Sequence, residues 1–152
     1  MQIEPLKDVL NQTRNFHQHL ASSLQNCKDR NQSERARLLL AYLAHHEQTL
    51  VEVLDGFSHS ASANALNTWC YDYLENSSAL RLDQSNQPFG QMNTGEIISE
   101  IVKQHNQIID LYRYLYSRAP TPSIKDLLAQ LLELEEHEAM RMAHSANRLE
   151  DL

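Results

Sequence analysis

Glycine and proline are so sparse in this chain that most of it has to be helical. Three glycines and four prolines occur in 152 residues. They are Pro5, Gly56, Pro88, Gly90, Gly95, Pro120 and Pro122. Because these residue types interrupt helices most strongly, the intervals between them predict regular structure. Apolar residues at helical spacing predict helices at about 5–28, 33–56, 94–119 and 122–150, with a crossover at 57–93.

The predicted helix ends follow from residues that favour caps. Ser33 is expected to cap the second helix, and Gly56 to end it. Thr94 is expected to cap the third helix, and either Thr121 or Ser123 opens the fourth.

Helices joined by a short, a long and a short connection predict an all-α four-helix bundle. Each short connection makes its two helices an antiparallel hairpin, so the bundle consists of two hairpins joined by the crossover. The crossover is expected to hold one or two short helices. Its aromatic residues would seal the core or dock a second subunit. They are Trp69, Tyr71, Tyr73 and Phe89. The length predicts a single domain over 1–152, and a homodimer is expected from the frequency of symmetric oligomers.

The composition argues against several classes of partner. The net charge is −7, with 20 acidic and 13 basic residues, whereas nucleic-acid and anionic membrane surfaces call for excess Lys and Arg. We find no run of 18 apolar residues and no secretory signal pattern. Cys27 and Cys70 lack metal-knuckle spacing, which favours a reducing compartment. A cytoplasmic protein without nucleic-acid or membrane partners is expected.

Two carboxylates on the last helix need an explanation. Glu135 and Glu138 fall on the helix face that also carries Leu128, Leu131, Met142, Ser145 and Leu149. A carboxylate that faces a helical core costs several kcal/mol unless it is paired, protonated or bound to a metal. The sequence therefore predicts buried partners for these side chains.

An internal repeat supplies candidate partners. Glu47 and Glu135 are 88 residues apart, as are His17 and His105. The same offset aligns Leu39, Leu40, Ala41 and Leu43 with Leu127, Leu128, Ala129 and Leu131. All four polar side chains fall on inward faces, and the rise of about 1.5 Å per residue places them at similar levels along the bundle. They are expected to converge at mid-bundle.

The pattern resembles the ferritin-like superfamily, rubrerythrin-like proteins in particular, and LLELEEHEAMRMA looks like their last metal-binding helix. In that family each hairpin contributes a Glu from its first helix and a Glu-x-x-His from its second to a di-iron centre. The resemblance implies metal ligands at His17, Glu47, His105, Glu135 and Glu138. The motif is degraded: histidine replaces both first-helix Glu residues, and Leu50 and Glu138 stand where the two Glu-x-x-His motifs would end.

Imidazole and carboxylate together suit Fe, Mn or Zn. One ion, or a weakly held pair, is expected, with a redox or metal-handling role. The alternative is a metal-free bundle in which His17 pairs with Glu47 and His105 with Glu135, and which serves as an interaction scaffold. His45 and His46 flank the inward face of the second helix.

A third interpretation is a hemerythrin-like metal-binding domain, which the fragments AHHEQTL and KQHNQII resemble. That family needs a His-x-x-x-Glu on its second helix and further histidines on its fourth, and neither His46-x-x-x-Leu50 nor Leu134-x-x-x-Glu138 provides one. No catalytic residues are predicted, since the chain has no phosphate-binding glycine loop and no Ser-His-Asp order.

Overall fold

The computed structural model describes residues 3–61, 69–71 and 89–150. The long helices in these ranges are α1 (Leu6–Lys28), α2 (Glu34–Ser60), α3 (Thr94–Ser117) and α4 (Pro122–Glu150). Helix α1 packs along α2, α3 packs along α4, and α2 contacts both helices of the second hairpin. The predicted all-α four-helix bundle of two antiparallel hairpins is confirmed.

The core follows the internal repeat. Residues 88 positions apart are buried together in the two hairpins, each with no more than 1 % of its surface exposed. The pairs are Ala36 with Ile124, Leu40 with Leu128, Leu43 with Leu131, and Leu54 with Met142. The two hairpins therefore present equivalent apolar faces to each other.

Two helix starts agree with the caps predicted from the sequence, and one does not. The Ser33 side chain accepts a hydrogen bond from the Ala36 backbone N–H at 3.3 Å, and α4 begins directly after Thr121. Helix α3, however, is capped by Asn93 and not by Thr94. Asn93 accepts from the Glu96 N–H at 2.9 Å, and the Glu96 carboxylate accepts from the Asn93 N–H at 3.1 Å. This reciprocal pair satisfies two N–H groups at once, so the helix starts at Thr94.

The predicted end of α2 at Gly56 is wrong. The helix runs to Ser60, and the Ala61 N–H bonds to the Phe57 carbonyl at 2.9 Å. A glycine ends a helix when it takes up a left-handed backbone, and no glycine in the described ranges has a positive φ. The extra turn stays packed because Phe57 contacts the core and Asp55 accepts from Arg14 of α1 at 2.6 Å. Helix α3 ends two residues before the predicted boundary, at Ser117.

The crossover is tied to the bundle at both described places. Residues 69–71 form a strand, β2 (Trp69–Tyr71), and not a helix; it pairs antiparallel with β1 (Ile3–Pro5). A 3₁₀ turn at Phe89–Gln91 then leads into α3, and the Phe89 side chain is fully buried. The Asn31 side chain donates to the carbonyls of Phe89 and Met92, each at 2.9 Å. Phe89 therefore helps to seal the core.

The other predictions for the crossover lie outside the described residues. They concern its short helices and the side chains of Trp69, Tyr71 and Tyr73. Among the helices that the structure describes, none has the length and apolar character needed to cross a membrane.

Candidate metal centre

Four ligand-type side chains, one from each long helix, meet in the middle of the bundle. They are His17 of α1, Glu47 of α2, His105 of α3 and Glu135 of α4. Each lies on the apolar face of its helix, and each has 0 % exposure to solvent. The structure thus brings together four of the five residues that the sequence analysis singled out.

These four side chains form a closed ring in which imidazoles and carboxylates alternate, here called the His–Glu ring. His17 Nδ1 lies 2.6 Å from Glu47 Oε2, and His17 Nε2 lies 2.7 Å from Glu135 Oε1. His105 Nε2 bonds to Glu47 Oε1. His105 Nδ1 lies 3.4 Å from Glu135 Oε2. These last two atoms are buried and have no hydrogen-bond partner within the described ranges.

The ring obeys the internal repeat atom by atom. In both hairpins, Nδ1 of the histidine faces the carboxylate of its own hairpin. Also in both, Nε2 faces the carboxylate of the other hairpin. The offset of 88 residues therefore relates individual contacts as well as helices, and the ring has approximate twofold symmetry.

Contacts within the ring shift the pKa values of all four side chains. Burial alone would lower the histidine pKa values, but the two carboxylates outweigh it and raise the pKa of His17 to about 10 and that of His105 to about 9. Burial alone would raise the carboxyl pKa values, but the histidines outweigh it and lower the pKa of Glu47 and of Glu135 to about 2. Without metal, two positive and two negative charges cancel, and four N–H groups face four carboxylate oxygens.

Three of the four side chains form a group that could hold a metal ion. One ligand atom each from His17, Glu47 and His105 lie within 4.8 Å of one another. An ion with tetrahedral bonds of about 2.0–2.1 Å would hold its ligand atoms about 3.4 Å apart. His105 Nδ1 and Glu135 Oε2, which lack hydrogen-bond partners among the residues described, are already at 3.4 Å. His17, Glu47 and His105 are therefore a candidate ligand group, with Glu135 beside them.

Glu138, the fifth predicted ligand, contacts a different residue. Its Oε2 lies 3.2 Å from His46 Nδ1, and its Oε1 accepts from Arg141 at 3.4 Å. The side chains of His46 and Glu138 are 15 % and 14 % exposed. Glu138 follows Glu135 by nearly one helical turn, which carries its carboxylate toward α2 at a different level. The structure therefore assigns Glu138 to a pair with His46 beside the ring.

Sequence reasoning missed the pairing of His46 with Glu138. The two residues lie on different hairpins, and helix periodicity alone does not show which residues of two helices face each other. The offset of 88 residues contains a signal, because it aligns His46 with Leu134 and Glu138 with Leu50. Polar residues thus replace the apolar residues of the other repeat at two positions that turn out to be partners.

Comparison with known proteins supports the fold. No family model matches the sequence, and no curated protein matches it. The structure is similar to the crystal structure, at 2.30 Å resolution, of a ferritin-like diiron-carboxylate protein from Thermotoga maritima. The TM-score is 0.61, and the match covers 97 % of each chain at 10 % identity. The chain therefore has the ferritin-like four-helix fold.

Proposed function

We propose that the protein binds one divalent transition-metal ion, Fe, Mn or Zn, in the His–Glu ring. The observation that carries this proposal is the convergence of four fully buried ligand-type side chains from four helices, three of which form a group that could hold a metal ion. Two of their atoms, His105 Nδ1 and Glu135 Oε2, have no hydrogen-bond partner among the described residues. The similar Thermotoga protein is described as a ferritin-like diiron-carboxylate protein, which supports a metal-binding role for this fold.

The charge of the ring favours one ion over two. Glu47 and Glu135 together supply two negative charges, which neutralise one divalent ion when both histidines are neutral, so binding would release the two protons that the histidines carry without metal. Two ions would leave two uncompensated positive charges in a site with no solvent exposure, and burying unpaired charge is costly. The proposed site is therefore mononuclear, and His17, Glu47, His105 and Glu135 would be its ligands.

The bound ion would supply Lewis-acid or redox chemistry. The chain itself contributes neutral nitrogen ligands from His17 and His105, charge from the two carboxylates, and a position closed to solvent. Because each ligand comes from a different helix, binding would also join both hairpins. These features support a metal-handling or redox role.

The test is the metal content of the protein when iron, manganese and zinc are all available during production. We expect close to one ion per chain in the wild type. The double variant Glu47→Gln/Glu135→Gln, which keeps side-chain size, is expected to contain almost none. Matched controls are His19→Gln, which is exposed on α1 near His17, and Glu136→Gln, which follows Glu135 and pairs with Arg113.

Circular dichroism would establish that all variants keep their helices. Metal that persists in the double variant would place the ion elsewhere, and a folded wild-type protein without metal would contradict the proposal.

A second candidate is a metal-free ring that holds the four helices in register within an interaction scaffold. The charge balance of the ring favours it, since imidazolium and carboxylate groups already satisfy most of one another. The same experiment separates the two candidates. A scaffold would contain no metal, yet the Glu47→Gln/Glu135→Gln variant would still be less stable than the wild type.

A further inference from the structure

The two halves of the internal repeat differ where α2 packs against α4, at a contact here called the α2–α4 seam. His46 of α2 pairs with Glu138 of α4 across this seam. The offset of 88 residues puts Leu134 and Leu50 at the equivalent positions, on the same two helices. One side of the seam therefore has an imidazole and a carboxylate at the positions that hold two leucines on the other side.

The residues of this polar pair are near neighbours of two ring members along the chain, and they are more exposed than the ring. His46 directly precedes Glu47, and Glu138 follows Glu135 by three residues. The four ring members have 0 % exposure, whereas the His46 and Glu138 side chains are 15 % and 14 % exposed. An ion that leaves the ring past this pair would meet nitrogen and oxygen ligands before it reaches water.

Neighbouring groups hold the pair in place. The Tyr42 ring lies 4.5 Å from the His46 ring, between centroids, and Arg141 donates to Glu138 at 3.4 Å. The opposite position in the repeat, Leu50, is 1 % exposed and would offer an ion no ligand. A dehydrated ion crosses an apolar seam only at high cost, because nothing replaces its water. A carboxylate with an imidazole provides that replacement.

We infer that the His46–Glu138 pair is the entry point through which a divalent cation reaches the His–Glu ring. Glu138 takes the ion from water, and Glu135, three residues earlier on the same helix, receives it. Glu138 and His46 are transient contacts and not ligands of the final site. This inference rests on the proposed function and adds the route by which the site is filled.

The test is the rate at which metal-free protein takes up cobalt(II), followed by stopped-flow absorption, and the rate at which a chelator removes it. The informative variants are Glu138→Gln and the double variant His46→Leu/Glu138→Leu, which copies the leucines of the other repeat. We expect both rates to fall about tenfold or more, while the dissociation constant stays within about threefold of wild type. Equal slowing in both directions is the signature of a route, because it leaves the end states unchanged.

Glu136→Gln is the matched control. It removes the same charge two residues away, from a side chain that pairs with Arg113 of α3, and we expect it to leave both rates close to those of the wild type. Thermal unfolding of each variant without metal would show that the bundle is intact.

Three results would overturn the inference. Unchanged uptake and release rates in Glu138→Gln would mean that ions enter elsewhere. Equal slowing in Glu136→Gln would mean that the rates depend only on the general attraction of cations by negative charge. Faster release with weaker affinity would make Glu138 a ligand of the bound ion. If the wild type takes up no cobalt(II), the proposed function fails as well, whereas unchanged rates in a wild type that binds metal remove only the entry point.

Discussion

His17 and His105 show how strongly the position of a residue determines its chemistry. Both are fully buried, yet each faces two carboxylates, so each favours the charged form that burial alone would disfavour. The inward positions of these histidines and of Glu47 and Glu135 could be predicted from helix periodicity and the repeat. The pairing of Glu138 with His46 could not, because it depends on the level at which α4 packs against α2.

The first prediction at this scale concerns pH. The histidine pKa values are raised in the folded chain, so their contribution to stability is complete below about pH 6.5 and is lost as pH rises toward 9 and 10. The carboxyl pKa values are lowered, so their contribution is complete above about pH 4.5 and is lost as pH falls toward 2. In metal-free protein the ring should therefore stabilise the fold most between these limits.

Urea unfolding at a series of pH values, with a chelator present, checks this expectation. The free energy of unfolding should decline from pH 6.5 to pH 9. The decline should be much smaller in a His17→Gln/His105→Gln variant, which lacks the titrating groups. A wild-type stability that rises over this interval would show that the histidines are not held in their charged form.

A second prediction compares two neighbouring glutamates. In metal-free protein, Glu135→Gln should lower the free energy of unfolding by about 3–5 kcal/mol, because it leaves buried histidines without one of their carboxylates. Glu136→Gln breaks an ion pair with Arg113 whose side chains are 44 % and 60 % exposed, and it should change stability by no more than about 1 kcal/mol. Similar losses from both changes, measured by denaturant unfolding, would contradict the described burial of Glu135.

At the scale of the element, the existence of the helices could be predicted, and several of their ends could not. Apolar residues recur at helical spacing over the whole length of each helix, so many positions together identify it. An end depends on one or two local hydrogen bonds and on tertiary packing, as at Asn93 and Gly56. The Asn93–Glu96 pair caps α3 one residue before the predicted Thr94 cap, and packing of Phe57 and Asp55 extends α2 beyond Gly56.

Gly56→Ala tests the extended end of α2. In the structure Gly56 is an exposed residue inside the helix, and an added β-carbon would meet no atom within 4 Å. Alanine should therefore raise the free energy of unfolding by about 0.5–1 kcal/mol. If the helix instead stopped at a left-handed Gly56, the same change would destabilise the protein, and thermal unfolding would reveal the opposite sign.

Asn93→Ala tests the corrected cap of α3. Loss of the side-chain acceptor for the Glu96 N–H should lower the free energy of unfolding by about 1 kcal/mol. Ser99→Ala, at an exposed position inside the same helix, is the control and should change stability by less than about 0.5 kcal/mol. Equal effects of the two changes in denaturant unfolding would speak against the capping box.

At the scale of the whole molecule, the repeat and the loop lengths were sufficient to predict the architecture. Two hairpins with equivalent apolar faces pack about an approximate twofold axis. This packing brings His17 and Glu47 of the first hairpin together with His105 and Glu135 of the second. The crossover lacks a regular apolar pattern, and its described strand at 69–71 depends on a partner at the other end of the chain, at 3–5. Local spacing does not encode such a distant pairing.

The central claim is that the His–Glu ring holds one metal ion at mid-bundle. Anomalous diffraction from crystals grown with zinc, recorded on both sides of the zinc absorption edge, tests it most directly. We predict one strong peak per chain, within about 2.0–2.2 Å of at least three of the side chains of His17, Glu47, His105 and Glu135. Two peaks in the ring, or a peak only at surface residues such as His45, would contradict the claim, as would an intact ring with no peak at all.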